Sequence, residues 1–138
     1  MKKVITALVM VLFLSSCGRE KPVMKASVQR GLYNQPTIRI TGGIPDRNSA
    51  NLMIFTEQGY VMAQDRFLQM DMLRRLASGR SGELLGKEAK EKYDVKMIAM
   101  GLRIAIDNTL IKIQREYPGV YQYLVAFSTG VNRFLSEM

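Results

Sequence analysis

The chain has 138 residues, 47% of them hydrophobic, a globular composition sufficient for one domain. It contains no histidine, which excludes every His-based triad and most zinc sites within this chain. The formal charge is +8, but the lysines and arginines are spread along the chain. No nucleic-acid partner is expected, since binding calls for a dense basic stripe with interleaved aromatics.

Met1-Lys2-Lys3 supplies a positive start, and the apolar run from Val4 to Leu14 follows it. That run is shorter than the roughly 20 apolar residues of a permanent membrane span. A charged start, a short apolar core and small residues after it mark a cleaved signal peptide over residues 1–16. Leu14-Ser15-Ser16-Cys17 has the form of a lipobox, with small side chains for the signal peptidase and a thiol for lipid attachment. Cys17 is the one cysteine in the chain, so it has no intramolecular disulfide partner. Thioether attachment gives it a role, because each buried CH₂ of an acyl chain contributes about 0.8 kcal/mol to anchoring. Gly18 is not the acidic residue associated with inner-membrane retention, so export to the periplasmic face or outer membrane of a Gram-negative host is expected. Cleavage removes Lys2 and Lys3 and takes the charge from +8 to +6.

Residues 17–35 are polar and read as a tether. Pro36 to Ile40 alternates as a short strand, and Thr41 to Ser49 is rich in turn residues. Leu52-Met53-Ile54-Phe55 fits either a second strand or the lead into a helix. From Glu57 the period becomes helical, with Tyr60, Ala63, Phe67, Met70 and Leu73 on one stripe and Val61, Leu68, Met72 and Leu76 widening it. Arg74 and Arg75 suit the last turns, and Gly79 is the stop. After Glu83-Leu84-Leu85, Asp94 is expected to cap a long helix through Val95, Ile98, Leu102, Ile106, Leu110 and Ile113. Pro118 opens another helix, with Val120, Leu124, Phe127, Val131 and Leu135 on one face. No cap or breaker follows Leu135-Ser136-Glu137, so a truncated last helix is expected.

The segment from Gly59 to Gly86 places polar residues inside an apolar helical face, and buried charges there need partners. Asp65 and Gln69 form one pair at i,i+4; Asp71 reaches Arg74 and Arg75 as ordinary surface pairs. Gly59-Tyr60, Ala63-Gln64-Asp65-Arg66, Gln69-Met70, Arg74-Arg75, Gly79, Glu83-Leu84 and Gly86 resemble, in order and spacing, the α-chain pattern of the penicillin acylase (penicillin amidase) family of N-terminal-nucleophile hydrolases. The likeness continues more weakly through Asp94 and the Leu102 helix, and returns from Ala126 to Leu135. It departs at Gly43-Ile44-Pro45-Asp46, where the family's His is missing, and at Ile40, which stands about where an acid is usual. Met97 and Ile98 replace an Arg usual after Asp94.

The resemblance implies an α+β fold: a mostly helical α-chain fragment of the αββα architecture, with a short N-terminal β element, over a partial domain at 36–138. It implies a precursor that cuts itself into α and β chains, the new N-terminal Ser of β being the nucleophile and its own amine the base. Oxyanion-hole donors also belong to the β chain. No catalytic residue and no metal ligand is assigned in this chain; Ser78, Ser81 and Ser128 follow no autoprocessing linker. The matched residues are expected to be structural, with Gln64, Asp65 and Arg66 orienting the helices against the β chain. No cofactor is expected here, with calcium belonging to the complete enzyme of some members. Partners would be the β chain, a membrane through Cys17, and a small N-acyl substrate such as a penicillin, another β-lactam or an acyl-homoserine lactone. The alternative is a non-enzymatic, lipid-anchored helical lipoprotein that binds a protein partner.

Overall fold

A computed structural model describes residues 23–138. The expected signal peptide, Cys17 and the start of the expected tether lie outside the described residues.

The fold opens with an antiparallel hairpin of β1 (Lys25–Arg30) and β2 (Pro36–Thr41), with Val28 opposite Ile38 and Arg30 opposite Pro36. Ala26, Val28, Ile38 and Ile40 point to the more buried side, as the two-residue strand period dictates. The expected strand at 36–40 is present, but the tether reading through residue 35 is corrected: residues 25–30 are its partner strand. Lys25, Ser27 and Gln29 make that stretch polar in composition while Ala26 and Val28 supply its inward face.

Helix α1 (Arg47–Ala77) begins well before Glu57 and absorbs the apolar run at 52–55. Its N-cap is Asp46, whose carboxylate accepts from the Ser49 amide at 2.9 Å and the Ser49 hydroxyl at 2.6 Å. The position where the family's His is missing is therefore a helix cap here. Arg66 (φ −140°, ψ 23°) interrupts the helix and kinks it. The stop falls where Gly79 predicts it, at φ +66°, with its amide donating back to the Leu76 carbonyl at 3.0 Å.

Beyond it come α2 (Gly82–Leu85), α3 (Lys87–Ala89), one π-helical turn (Lys90–Asp94), α4 (Val95–Ala99), α5 (Leu102–Glu116) and α6 (Pro118–Glu137). The single long helix expected after Asp94 is thus broken at Gly101, which sits at φ +64°. Pro118 opens α6 at its first position, as expected. The result is a mostly helical α+β fold. Among the described residues no helix is long and apolar enough to cross a membrane.

The packing centre is the crossing of α1 and α6. A Cβ on Gly59 would lie 2.1 Å from the Phe127 carbonyl oxygen, and one on Gly130 would lie 1.8 Å from that of Thr56. Two bare backbones therefore touch at reciprocal glycines, a geometry any side chain would prevent. Around the crossing, Arg133 grips Glu57 with both guanidinium nitrogens at 2.9 and 2.8 Å and lies over the Tyr60 ring. Tyr60 packs edge-on to Phe134, and Phe55 stacks on Tyr123. Burial is otherwise sparse: among the described residues the buried hydrophobics are Val61 and Ala63 beside the crossing, and Ala89.

Candidate functional site: the motif helix and its partners

The residues singled out by the sequence fall into three structural groups. Gly59, Tyr60 and Ala63 belong to the helix crossing just described, with Gly59 and Ala63 buried. Gln69 is exposed, and Met70 is half-buried against the α6 side.

Gln64 and Asp65 form the second group, and their partner is one the sequence did not indicate. Arg30, at the end of β1, donates to Asp65 Oδ1 at 2.7 Å, Asp65 Oδ2 at 3.1 Å and Gln64 Oε1 at 2.7 Å. The hydrogen bond from Arg30 holds the Asp65 carboxyl below its ordinary range, and Coulombic attraction to Arg30 and Arg66 acts in the same direction. The expected Asp65–Gln69 pair is replaced by this longer-range one. Gln64, Asp65 and Arg66 are exposed on this chain's surface, not buried within its apolar face.

The third group joins the end of α1 to α2. Asp71 accepts from Arg74 at 2.6 Å and from Arg75 at 2.7 Å, the pairs the spacing predicts. Arg75 also reaches Glu83, which accepts from Arg80 at 2.6 Å. Hydrogen bonds from Arg75 and Arg74 lower Asp71; Arg80 does the same for Glu83. Leu84 and Leu85, with Met72, Leu76 and Tyr93, line an apolar cavity of about 170 Å³ beside this network. It is small against the roughly 300–1,000 Å³ of an ordinary ligand pocket. Gly86, at φ +83°, ends α2.

Asp94 behaves differently from its expected role. It does not cap its own helix; its carboxylate accepts from the Ser81 amide and the Gly82 amide, each at 2.8 Å, and from the Ser81 hydroxyl. It is a cap supplied from a distance to the start of α2. Burial raises its pKa, but the hydrogen bonds from Ser81 and Gly82 together outweigh burial and keep it below the ordinary carboxylate range. Asp94 is 3% exposed and Ser81 5%.

Every carboxylate in the motif region is thus committed to an arginine or to amide donors. Each is held ionised near neutrality, so none is poised as a general acid there. Among the described residues no group of three or more His, Cys, Asp and Glu side chains comes together as a metal site. The arrangement holds helices in place.

The sequence profile of the penicillin amidase family matches residues 49–138. The chain belongs to that family. It is 32% identical to a penicillin acylase 2 proenzyme of a Pseudomonas species over 90% of its own length and 14% of the relative's. It is 38% identical to an acyl-homoserine lactone acylase of Pseudomonas aeruginosa over 79% of its length and 12% of that protein. A third relative, an acyl-homoserine lactone acylase of Pseudomonas fluorescens, is 32% identical over 77% of the chain and 13% of its own length. The chain therefore spans about an eighth of the length of these relatives. The comparisons favour the amide-hydrolase family over the non-enzymatic lipoprotein alternative.

Proposed function

We propose that this chain is the N-terminal part of the α chain of an acylase that hydrolyses the linear amide of N-acyl compounds, with penicillins, other β-lactams or acyl-homoserine lactones as the substrate class. In this reading the chain alone is not competent. The nucleophilic Ser, its amine base and the oxyanion donors come from the β chain of the same precursor, and any calcium belongs to the complete enzyme. Gly59, Tyr60, Ala63, Gln64, Asp65, Arg66, Gln69, Met70, Arg74, Arg75, Gly79, Glu83, Leu84 and Gly86 serve the scaffold.

The observation that carries this reading is how much apolar surface remains uncovered in a chain of this family. In α5 none of the residues is buried; Ile104 and Ile111 are 67% and 62% exposed. On the motif helix Leu68 is 69% exposed and Leu73 58%. Uncovered apolar surface of this kind marks an interface, and the remainder of an acylase is the partner the family supplies.

Export and anchoring complete the proposal: residues 1–16 are removed and Cys17 carries lipid, holding the enzyme at the periplasmic face of a bacterial membrane. Labelled palmitate should enter the protein in a bacterial host and be absent from Cys17→Ser; equal labelling of the two would remove the anchor from the proposal.

The activity is tested with a chimera in which residues 49–138 replace the matching segment of the Pseudomonas aeruginosa acylase. Release of free amine from a penicillin and from an N-acyl-homoserine lactone is then followed. The chimera should turn over one of these substrates while the 138-residue chain alone does not. Turnover by the chain alone at a comparable rate, or a folded chimera with none, would overturn the reading.

A further inference from the structure

We infer that the β1–β2 hairpin is a strap latched onto the motif helix by one side chain, Arg30, which is the positioning residue for Gln64 and Asp65.

A two-stranded hairpin is marginal in water without something to pack against. Here its inward residues Ala26, Val28, Ile38 and Ile40 are only partly buried, and at its tip Leu32 is 96% exposed. Apolar packing is therefore thin. Among the described residues, Arg30 makes the only hydrogen bonds that join the hairpin to a helix, and it makes three of them. Arg30 Nη1 also lies 3.4 Å from both the backbone carbonyl and the side-chain oxygen of Asn34, the left-handed residue (φ 59°) of the hairpin turn. One planar fork thus spans the turn of the strap and two adjacent side chains of α1. Lysine, with a single point charge, cannot reproduce that geometry.

The latch closes at a particular place. Asp65 is the residue immediately before Arg66, where α1 leaves helical angles. The helix before the kink packs on α6; the helix after it carries Asp71, Arg74 and Arg75 toward α2. A strap fixed at the kink holds the Gln64-Asp65 segment in its bent form. This assigns the motif pair an anchor within the chain, where the sequence suggested one in the β chain.

Hydrogen exchange of the full chain tests the latch without reference to activity. In Arg30→Ala, amides of residues 26–29 and 37–40 should exchange roughly tenfold or more faster, while those of 56–63 and 127–134 at the helix crossing keep their wild-type rates. Arg30→Lys should fall between. The exchanged pair, Arg30→Asp with Asp65→Arg, should recover most of the protection that either single change loses. Unchanged hairpin exchange in Arg30→Ala overturns the latch. So does failure of the exchanged pair to recover protection, including the case where Arg30→Ala also loosens the crossing. In a version of the acylase chimera extended to begin at residue 23, so that it carries both strands of the hairpin, Arg30→Ala should lower the yield of active enzyme and the exchanged pair restore it. An inactive wild-type chimera would count against the proposed function and leave the exchange result to decide the latch.

Discussion

The crossing of α1 and α6 and the stretch from α2 to α5 are built on opposite terms. At the crossing, backbones meet at Gly59 and Gly130, a bidentate ion pair joins Glu57 to Arg133, and aromatic rings fill the flanks. From Gly82 to Glu116, only Ala89 and Asp94 are buried, and Asp94 holds the start of α2 through polar bonds. The first region satisfies itself. The second leaves its apolar side chains uncovered, so the crossing carries the stability of the chain, while under the proposed function the stretch from α2 to α5 carries its contacts with the rest of an acylase.

The contrast can be broken most forcefully at the glycines. Gly130→Leu places a Cβ inside the Thr56 carbonyl, and overpacking of this kind costs about 3 kcal/mol. Urea unfolding of the chain should show a large fall in midpoint, with Gly59→Leu close behind. An unaltered midpoint would mean that the helices do not meet as described.

Asp94→Asn should come next. It keeps one acceptor oxygen but turns the other into an NH2 donor facing groups that are themselves donors, and should lower the thermal midpoint by several degrees. Because the folded pKa of Asp94 lies below its ordinary value, its stabilisation is present above the ordinary carboxylate range and is lost as pH falls from there through the lowered folded pKa. The difference in stability between wild type and Asp94→Asn should therefore shrink on acidification. A difference that stays constant from neutral pH to pH 3 would assign the effect to packing.

Glu57→Gln removes half of the ion pair at the crossing, whose arginine side chain is 39% exposed. A loss of about 0.5–1 kcal/mol in denaturant unfolding is expected, reduced by added salt. The smallest effect on the isolated chain should come from Ile104→Lys or Ile111→Lys on α5, where the unfolding midpoint should hardly move. In the acylase chimera the same substitutions should reduce active enzyme sharply, because the lysine would then lie in an interface. Equal indifference in both settings would contradict the covered-face reading.

The parts that were legible from sequence are those governed by local rules. Pro118 opens α6, Gly79 ends α1, and Asp71 pairs with Arg74 and Arg75, all from spacing within a turn or two. The family motif was legible because many positions match at once. Contacts across long separations were not. Arg30 pairs with Asp65 from 35 residues away, and Asp94 caps a helix that begins 12 residues before it. Helical spacing offers only neighbours at three and four, so Asp65 was paired with Gln69 and Asp94 with its own helix. Strand β1 escaped notice because only Ala26 and Val28 make its inward face. The polar residues after Asp46 read as turn for a similar reason: an N-cap is conspicuous only when an apolar period follows it at once.

Under the proposed function, α5 is the uncovered half of an acylase interface, while the crossing is complete within the chain. Amide hydrogen exchange of residues 102–116, compared between the 138-residue chain and the acylase chimera, tests it most directly. Rapid exchange is expected in the chain alone and strong protection in the chimera, with residues 56–63 and 127–134 protected in both. Equal protection of residues 102–116 in the two proteins would contradict it.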